Sequence, residues 1–175
     1  MGTIKSAEPV KLIMGIISKS NELTDAAMVM LKQRWGELDN VSQAIPFSFT
    51  DYYGAEMGSG LSRLWVSFDK LINPGELAKI KIETNRIEDG FALSGKRRIN
   101  IDPGYIALSK VVLASTKDFS HRIYLQDGIF AEITLLYKDK RFTALPWSYP
   151  DYQSEAATAF LLSARERYHS QITNI

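Results

Sequence analysis

Val10 to Gly36 reads VKLIMGIISKSNELTDAAMVMLKQRWG. Val10 to Ile17 is almost continuously apolar, long enough for a central strand buried on both faces and short for a helix. Ser20-Asn21 then offers side-chain oxygens that cap a helix. Leu23, Ala26, Ala27, Met30, Leu31 and Trp35 recur at helical spacing, and Gly36 closes the element. A buried strand running into an amphipathic helix is a β-α unit. The order of the elements after Gly36 decides between an antiparallel α+β sheet and a more parallel α/β one.

Ala44 to Tyr53 (AIPFSFTDYY) predicts a strand, with Pro46 at its start or on an edge. Gly54, Gly58 and Gly60 make a flexible turn, and Leu61 to Phe68 (LSRLWVSF) predicts another strand. Asn73-Pro74-Gly75-Glu76 is a helix start, with Asn as cap, Pro at the first position and Glu at the third. Leu77, Ile80, Thr84, Ile87 and Phe91 share one face of that helix, which Gly90 or Gly95 ends. Arg98 to Ile101 is a short strand running into a turn at Asp102-Pro103-Gly104. Ile106 to Ala114 suits a strand or a short helix begun near Ser109, with a slight preference for the helix. Arg122 to Leu125, Asp127-Gly128 and Ile129 to Tyr137 form a hairpin, since Asp-Gly favours a two-residue turn. A strand over Arg141 to Leu145 precedes a final helix over Ser154 to Tyr168, with Ala157, Phe160, Leu161, Ala164 and Tyr168 inward. The order β-α-β-β-α-β, then a meander and a helix, predicts an α+β fold: a ferredoxin-like βαββαβ core extended by an antiparallel β-meander and a C-terminal helix. A mixed, doubly wound α/β sheet is the alternative.

With 175 residues, 45% hydrophobic and 23% charged, the chain is expected to fold as one domain over residues 1–175 around a sizeable core. A formal net charge of +1 gives no general attraction to nucleic acid. The absence of cysteine excludes disulfides, thiolate zinc sites and cysteine nucleophiles. No apolar run approaches the roughly 20 residues that span a bilayer, so no membrane partner is expected and the cytoplasm is the expected location.

Arg97 to Glu132 concentrates acids, bases and hydroxyls. His121 and Asp118 are spaced by three beside Ser115, Thr116 and Ser120, and an imidazole oriented by a carboxylate moves protons near neutral pH. His121, Asp118 and Asp102 are therefore the catalytic candidates. Lys110, Lys117 and Arg122 are candidates to hold a small phosphate- or carboxylate-bearing substrate, with Ser115, Thr116 and Tyr105 beside them. Lys110 stands in an apolar run; if buried, it needs Asp102 or Glu132 as partner. Pro46 to Tyr52 (PFSFTDY) and Pro146 to Tyr152 (PWSYPDY) share the pattern Pro-aromatic-Ser-aromatic-x-Asp-Tyr. Two equivalent loops would place Asp51, Tyr52, Asp151 and Tyr152 at opposite lips of one cleft. Glu132 and Asp102 are the candidate oxygen ligands for a divalent cation such as magnesium, with Asp51 and Asp151 in reserve.

Several activities lack their signatures. Gly90 to Arg97 (GFALSGKR) resembles a phosphate loop, but Arg replaces the magnesium-holding Ser or Thr, and a helix precedes where a strand is needed. Thr116-Lys117-Asp118 has its Asp one residue too early for guanine reading. No Gly-x-Ser-x-Gly elbow and no paired histidines exist, against a serine hydrolase and a zinc site.

Pro46 to Tyr53, Glu56-Met57-Gly58, Asp102-Pro103-Gly104-Tyr105, Ala114 to Tyr124 (ASTKDFSHRIY) and Leu145 to Tyr152 (LPWSYPDY) resemble domain-of-unknown-function family 4416 of bacteria and archaea, from about Lys11 to Tyr152. The Asp-Pro-Gly-Tyr element is the hallmark of that likeness. The resemblance brings no activity with it; a GTP-binding label attached to some members finds no phosphate loop here. The leading expectation is a small-molecule-binding domain, acting as an enzyme if His121 handles protons, with an anion held in a polar cleft. The alternatives are a non-catalytic protein-interaction module with an aromatic patch, and GTP-type nucleotide binding without a standard phosphate loop.

Overall fold

The computed structural model describes residues 2–173. β1 (Val10–Ser18) lies inside a nine-stranded sheet and is buried along its whole length. α1 (Asn21–Trp35) comes next in the chain, its first turn capped by the Ser20 hydroxyl, which accepts the Leu23 amide. β2 (Leu38–Val41), β3 (Ile45–Pro46), α2 (Gly54–Met57) and β4 (Ser62–Ile72) succeed it. A 3-10 turn at Pro74–Glu76, closed by the reciprocal Asn73 and Glu76 capping bonds, leads into α3 (Leu77–Gly90). β5 (Ile99–Ala107), β6 (Lys110–Ser115), β7 (Ile123–Gln126), β8 (Ile129–Lys138), β9 (Arg141–Ala144) and α4 (Glu155–Thr173) complete the described chain.

The strand order is β2-β4-β1-β5-β6-β8-β7, with β3 on β4 and β9 on β8, and every strand pairing is antiparallel. This removes the parallel α/β alternative. In β2-β4-β1-β5, α1 crosses from β1 to β2 and α3 from β4 to β5, which is the ferredoxin-like split arrangement. Alternation along the strands separates two layers. Leu12, Met14, Ile16, Val66, Phe68, Ile99 and Ile101 face α1 and α3, while Ile13, Trp65 and Ile106 face α4. Ala157, Phe160, Leu161, Ala164 and Tyr168 of α4 are buried as expected. On α1 the buried stripe is Thr24, Ala27 and Leu31, whereas Ala26 and Met30 are exposed. Thr24 can be inward because its hydroxyl meets the Ser20 carbonyl at 3.1 Å and the Ser18 hydroxyl at 2.5 Å.

The far end of α4 is fastened to the start of β1. Lys11, fully buried, pairs with Asp39 and donates to Gln171 Oε1 at 2.7 Å, and the Tyr168 hydroxyl donates to the Pro9 carbonyl at 2.8 Å. No described helix is long and apolar enough to cross a membrane.

Three local expectations are corrected. The strand over Ala44 to Tyr53 contracts to the two residues of β3; Phe47 and Phe49 instead pack edge to face at 5.7 Å in the loop beyond it. Ile106 to Ala114 is the end of β5, a turn at Leu108-Ser109, and β6, with no helix. Asp102-Pro103-Gly104 is not a turn but the middle of β5. Pro103 is tolerated there because the pairing of β5 with β6 begins only at Gly104, so the missing N–H interrupts no ladder on that side. Gly104 serves close approach rather than a bend: a Cβ there would overlap the Val112 carbonyl oxygen and lie 2.5 Å from the Leu113 side chain.

Candidate functional site

Beyond Gly104, β5 and β6 part, since β6 continues only along β8. A cleft of about 900 Å³ opens at this fork. Ile101 on β5 pairs with β1 and turns its polar backbone groups toward the gap, where α3 supplies the missing partners. Glu88 Oε1 accepts the Ile101 amide at 2.7 Å, and Lys81 Nζ donates to the Ile101 carbonyl at 2.9 Å. Two helix side chains thus stand in for a neighbouring strand.

Arg63 of β4 forms the cleft floor and is 1% exposed. Its side chain reaches across β1 toward β5 over Gly15, where a Cβ would lie 2.6 Å from Arg63 Cζ and 3.0 Å from the Tyr152 hydroxyl. Nη1 donates to Asp102 Oδ2 at 3.1 Å. Nε is 3.1 Å from Asp151 Oδ2 but off the hydrogen-bond direction, so it counts as an unpartnered buried donor, as do the indole N–H of Trp65 and the Tyr152 hydroxyl beside it. The guanidinium is also 5.2 Å from the Trp65 ring and 5.3 Å from the Tyr152 ring. Asp102 further accepts from Asn100 Nδ2 at 2.9 Å and lies 3.8 Å from Lys81 Nζ. Arg97 closes the edge of the floor with a two-pronged bond to Glu56 and a donation to Asn100 Oδ1 at 3.0 Å.

These surroundings separate the carboxyls. Burial pushes Glu88 up to about 7, with Lys81 and the Ile101 amide only partly opposing it. For Asp102, burial alone would act the same way, but Lys81 and Arg63 outweigh it and hold the carboxyl below its ordinary value. Asp151 is raised by burial. At neutral pH the floor therefore combines an ionised Asp102 with a partly protonated Glu88.

One wall is the segment between β6 and β7. Glu132 of β8, 2% exposed, accepts from Arg122 Nε at 2.8 Å and Thr134 Oγ1 at 3.2 Å, and meets His121 Nε2 at 3.2 Å. Arg122 also donates to the Lys117 carbonyl at 2.9 Å and the Tyr149 hydroxyl at 2.8 Å. His121 stacks on Trp147 with ring centroids 4.9 Å apart and planes 9° apart. At the mouth, Lys117 Nζ lies 3.9 Å from the centre of the Tyr52 ring, joining this wall to the loop carrying Phe47, Phe49 and Tyr53.

Asp102, Ser115, Thr116, Lys117, Asp118, His121, Arg122, Glu132, Tyr52, Asp151 and Tyr152 all line the cleft. Asp51, Tyr105 and Lys110 do not. Asp51 is exposed outside it, Tyr105 packs on the opposite face of the sheet, and half-buried Lys110 sits at the far end of β6, opposite Ala107 and Leu136. Its expected partners are taken, Asp102 by Arg63 and Asn100, and Glu132 by Arg122 and His121. The carboxylate beside His121 is Glu132, not Asp118. The two Pro-aromatic-Ser-aromatic-x-Asp-Tyr segments both border the cleft but are not equivalent: Asp151 and Tyr152 are buried at the floor, whereas Asp51 and Tyr52 are exposed. Among the described residues, no three acids or imidazoles form a group able to hold a metal ion, so Glu132 and Asp102 gain no support as magnesium ligands.

Arg63, Lys81, Glu88, Asn100 and Tyr149 join the site without having been singled out. Lys81 and Glu88 fall on the same helical stripe as Leu77 and Thr84, and all four are buried. Arg63 interrupts an apolar strand, and Gly15 interrupts another; each anomaly explains the other once the strands are neighbours.

The fold and cleft define the class: a ferredoxin-like α+β domain with a charged cleft where its sheet forks. The chain belongs to the family described as Domain of unknown function (DUF4416), whose model matches residues 8–168. No curated protein and no solved structure matches it.

Proposed function

We propose that the cleft binds a small organic molecule bearing a carboxylate or phosphate, with the anion received by Arg63. One observation carries this reading: a guanidinium 1% exposed, lining a cleft of about 900 Å³, with Nη1 bonded to Asp102 and Nε 3.1 Å from Asp151 but making no hydrogen bond to it. A buried arginine leaves donors unmade at a cost, and an oxyanion with two acceptor atoms removes that cost. The volume matches that of a drug- or nucleotide-sized ligand rather than a bare ion. Charge supports the same reading when Glu88 holds its proton, because Arg63 and Lys81 then balance Asp102 and Asp151 instead of being outnumbered. Arg122 is committed to Glu132, Lys117 and Tyr149, so Lys117, Ser115 and Thr116 are the groups at the lip for the rest of the ligand. Proton handling in this reading falls to Glu88 at the floor and to His121, oriented by Glu132, in the wall.

Of the aromatic side chains that an interaction module would display outward, Phe47 is half-buried while Trp147 and Tyr149 are exposed, and all three border the cleft rather than forming a surface apart from it, so the interaction module is the second reading. GTP-type binding gains no support from Gly90 to Arg97, which links the end of α3 to β5 and borders the cleft through Arg97, already bonded to Glu56. The test is a thermal-shift titration at pH 6.5 with phosphate, dicarboxylates and nucleoside monophosphates. A ligand at about 100 times its Kd stabilises by about 2.7 kcal/mol, a rise of roughly 5–10 °C in a chain of this size. Arg63→Gln and, as a gentler control at the exposed lip, Lys117→Ala should diminish the rise. No shift with any anion at millimolar concentration overturns the proposal.

A further inference from the structure

The cleft has two chemically different zones. Its floor is charged, while its mouth carries aromatic rings that the protein leaves uncovered: Phe49 is 37% exposed, Tyr52 56%, Phe119 65%, Trp147 38% and Tyr149 40%. Exposed aromatic surface of this size, gathered around one concavity, marks a place where apolar area is covered on binding. The rings come from three separate segments, the loops after β3, β6 and β9. Tyr52 stands with Phe47, Phe49 and Tyr53 in the loop after β3, their neighbouring centroids 5.0–5.7 Å apart. Phe119 and Trp147 flank His121 on the other side, at 5.4 Å and 4.9 Å. Trp147 is fixed by donating its indole N–H to the Ile133 carbonyl at 2.8 Å, so its ring is held in place before any ligand arrives. Lys117 over Tyr52 bridges the two groups.

Resting on the proposal that Arg63 receives an oxyanion, we infer that the ligand is a planar-ring acid: an aromatic or heteroaromatic ring stacked among the mouth residues, with a carboxylate or phosphate directed to the floor. Flat rings suit this mouth because aromatic faces gain from offset or edge-to-face contact with other rings beyond the area they bury. An aliphatic acid or a sugar phosphate reaches the same floor but leaves the rings uncovered. Nucleotides and aryl carboxylates share the required chemistry and differ in the anion and in ring size.

The experiment is calorimetry on the full chain at pH 6.5 with four probes: adenosine monophosphate, indole-3-carboxylate, ribose 5-phosphate and indole. Trp147 fluorescence is read in parallel, with a Trp147→Phe variant identifying its share of the signal. The ring acids, one or both, are expected to bind at least tenfold more tightly than ribose 5-phosphate, the factor equivalent to about 1.4 kcal/mol of stacking. They quench Trp147, and Tyr52→Ala, an exposed substitution that spares the core, weakens them at least fivefold more than it weakens ribose 5-phosphate. Preference for adenosine monophosphate over indole-3-carboxylate, or the reverse, identifies the source of the anion. If ribose 5-phosphate binds as tightly as the ring acids, the ring assignment is wrong while anion binding at Arg63 stands. If indole binds as tightly as its carboxylate, the anion assignment fails, and this inference with it. No binding by any probe at millimolar concentration also overturns it.

Discussion

Glu88 is the group whose replacement speaks most directly to the electrostatics of the cleft floor. Burial raises its carboxyl from 4.5 to about 7, although Lys81 and Arg97 stand nearby. Below pH 4.5 both folded and unfolded chains hold the proton, and the stability associated with it is fully present. Between 4.5 and about 7 the unfolded chain releases the proton while the folded one retains it, so stability falls steadily as pH rises, and above 7 the loss is complete. The rise from 4.5 to about 7 corresponds to about 3 kcal/mol of stability lost above pH 7. Glu88→Gln keeps an oxygen to accept the Ile101 amide and removes the titration. The variant should match the wild type near pH 4.5 and exceed it by up to about 3 kcal/mol at pH 8, or roughly 6–12 °C in Tm. Urea denaturation of both proteins from pH 4.5 to 8.5 measures the difference, with other titrating groups cancelling. Parallel stability curves, or a variant that is weaker at pH 8, would mean that Glu88 is already ionised in the folded protein well below pH 7.

The same geometry makes four further outcomes testable. Anion binding should weaken as pH rises through about 7, because ionised Glu88 adds a negative charge to the floor, and in Glu88→Gln the same titration should be flat; calorimetry across pH 6–8.5 checks both. Gly15→Ala pushes a Cβ into the Arg63 guanidinium, so it should cost about 1–3 kcal/mol and abolish anion-induced thermal shifts while far-UV dichroism stays native. Gly104→Ala meets the Val112 carbonyl, which cannot rotate away, and should cost about 3 kcal/mol or more in urea denaturation. Lys11→Met leaves the half-buried Asp39, bonded to Ser67 of β4, without its cation, at a cost of about 3 kcal/mol, and adding Asp39→Asn should restore part of it.

The scaffold was largely legible because its cues are local. The apolar run of β1, the caps at Ser20 and Asn73, and the Asp127-Gly128 turn between β7 and β8 each act within a few residues, and the element order then selects the sheet arrangement. Asp127 and Gly128 have φ of 53° and 76°, the left-handed backbone that an Asp-Gly hairpin turn requires. Asp102-Pro103-Gly104 misled because its composition signals a turn when only sequence neighbours are considered. In the fold, Pro103 faces a gap in the sheet and Gly104 faces a neighbouring strand. The site divides in the same way. Ser115 to Arg122 advertised itself by polar density. Arg63, Lys81 and Glu88 were hidden in segments that read as core, since a charged side chain buried among apolar ones is recognisable only when its partner on a distant segment is known. Asp118 was paired with His121 by sequence spacing alone, whereas the carboxylate that the structure places against His121 is Glu132, eleven residues on in β8.

The bond between Lys11 and Gln171 has a consequence for how the protein is made. β1 is synthesised well before the α4 surface that covers Ile13 and before Gln171, whose side-chain oxygen accepts from the Lys11 ammonium. Until then the middle of the sheet presents an uncovered apolar strand with a buried-type lysine at its start. Contacts this distant in sequence close slowly and leave intermediates prone to association. Newly made chains therefore pass through a window in which β1 is an aggregation hazard, and chains interrupted before Phe160 should be cleared or chaperoned rather than accumulate as folded cores.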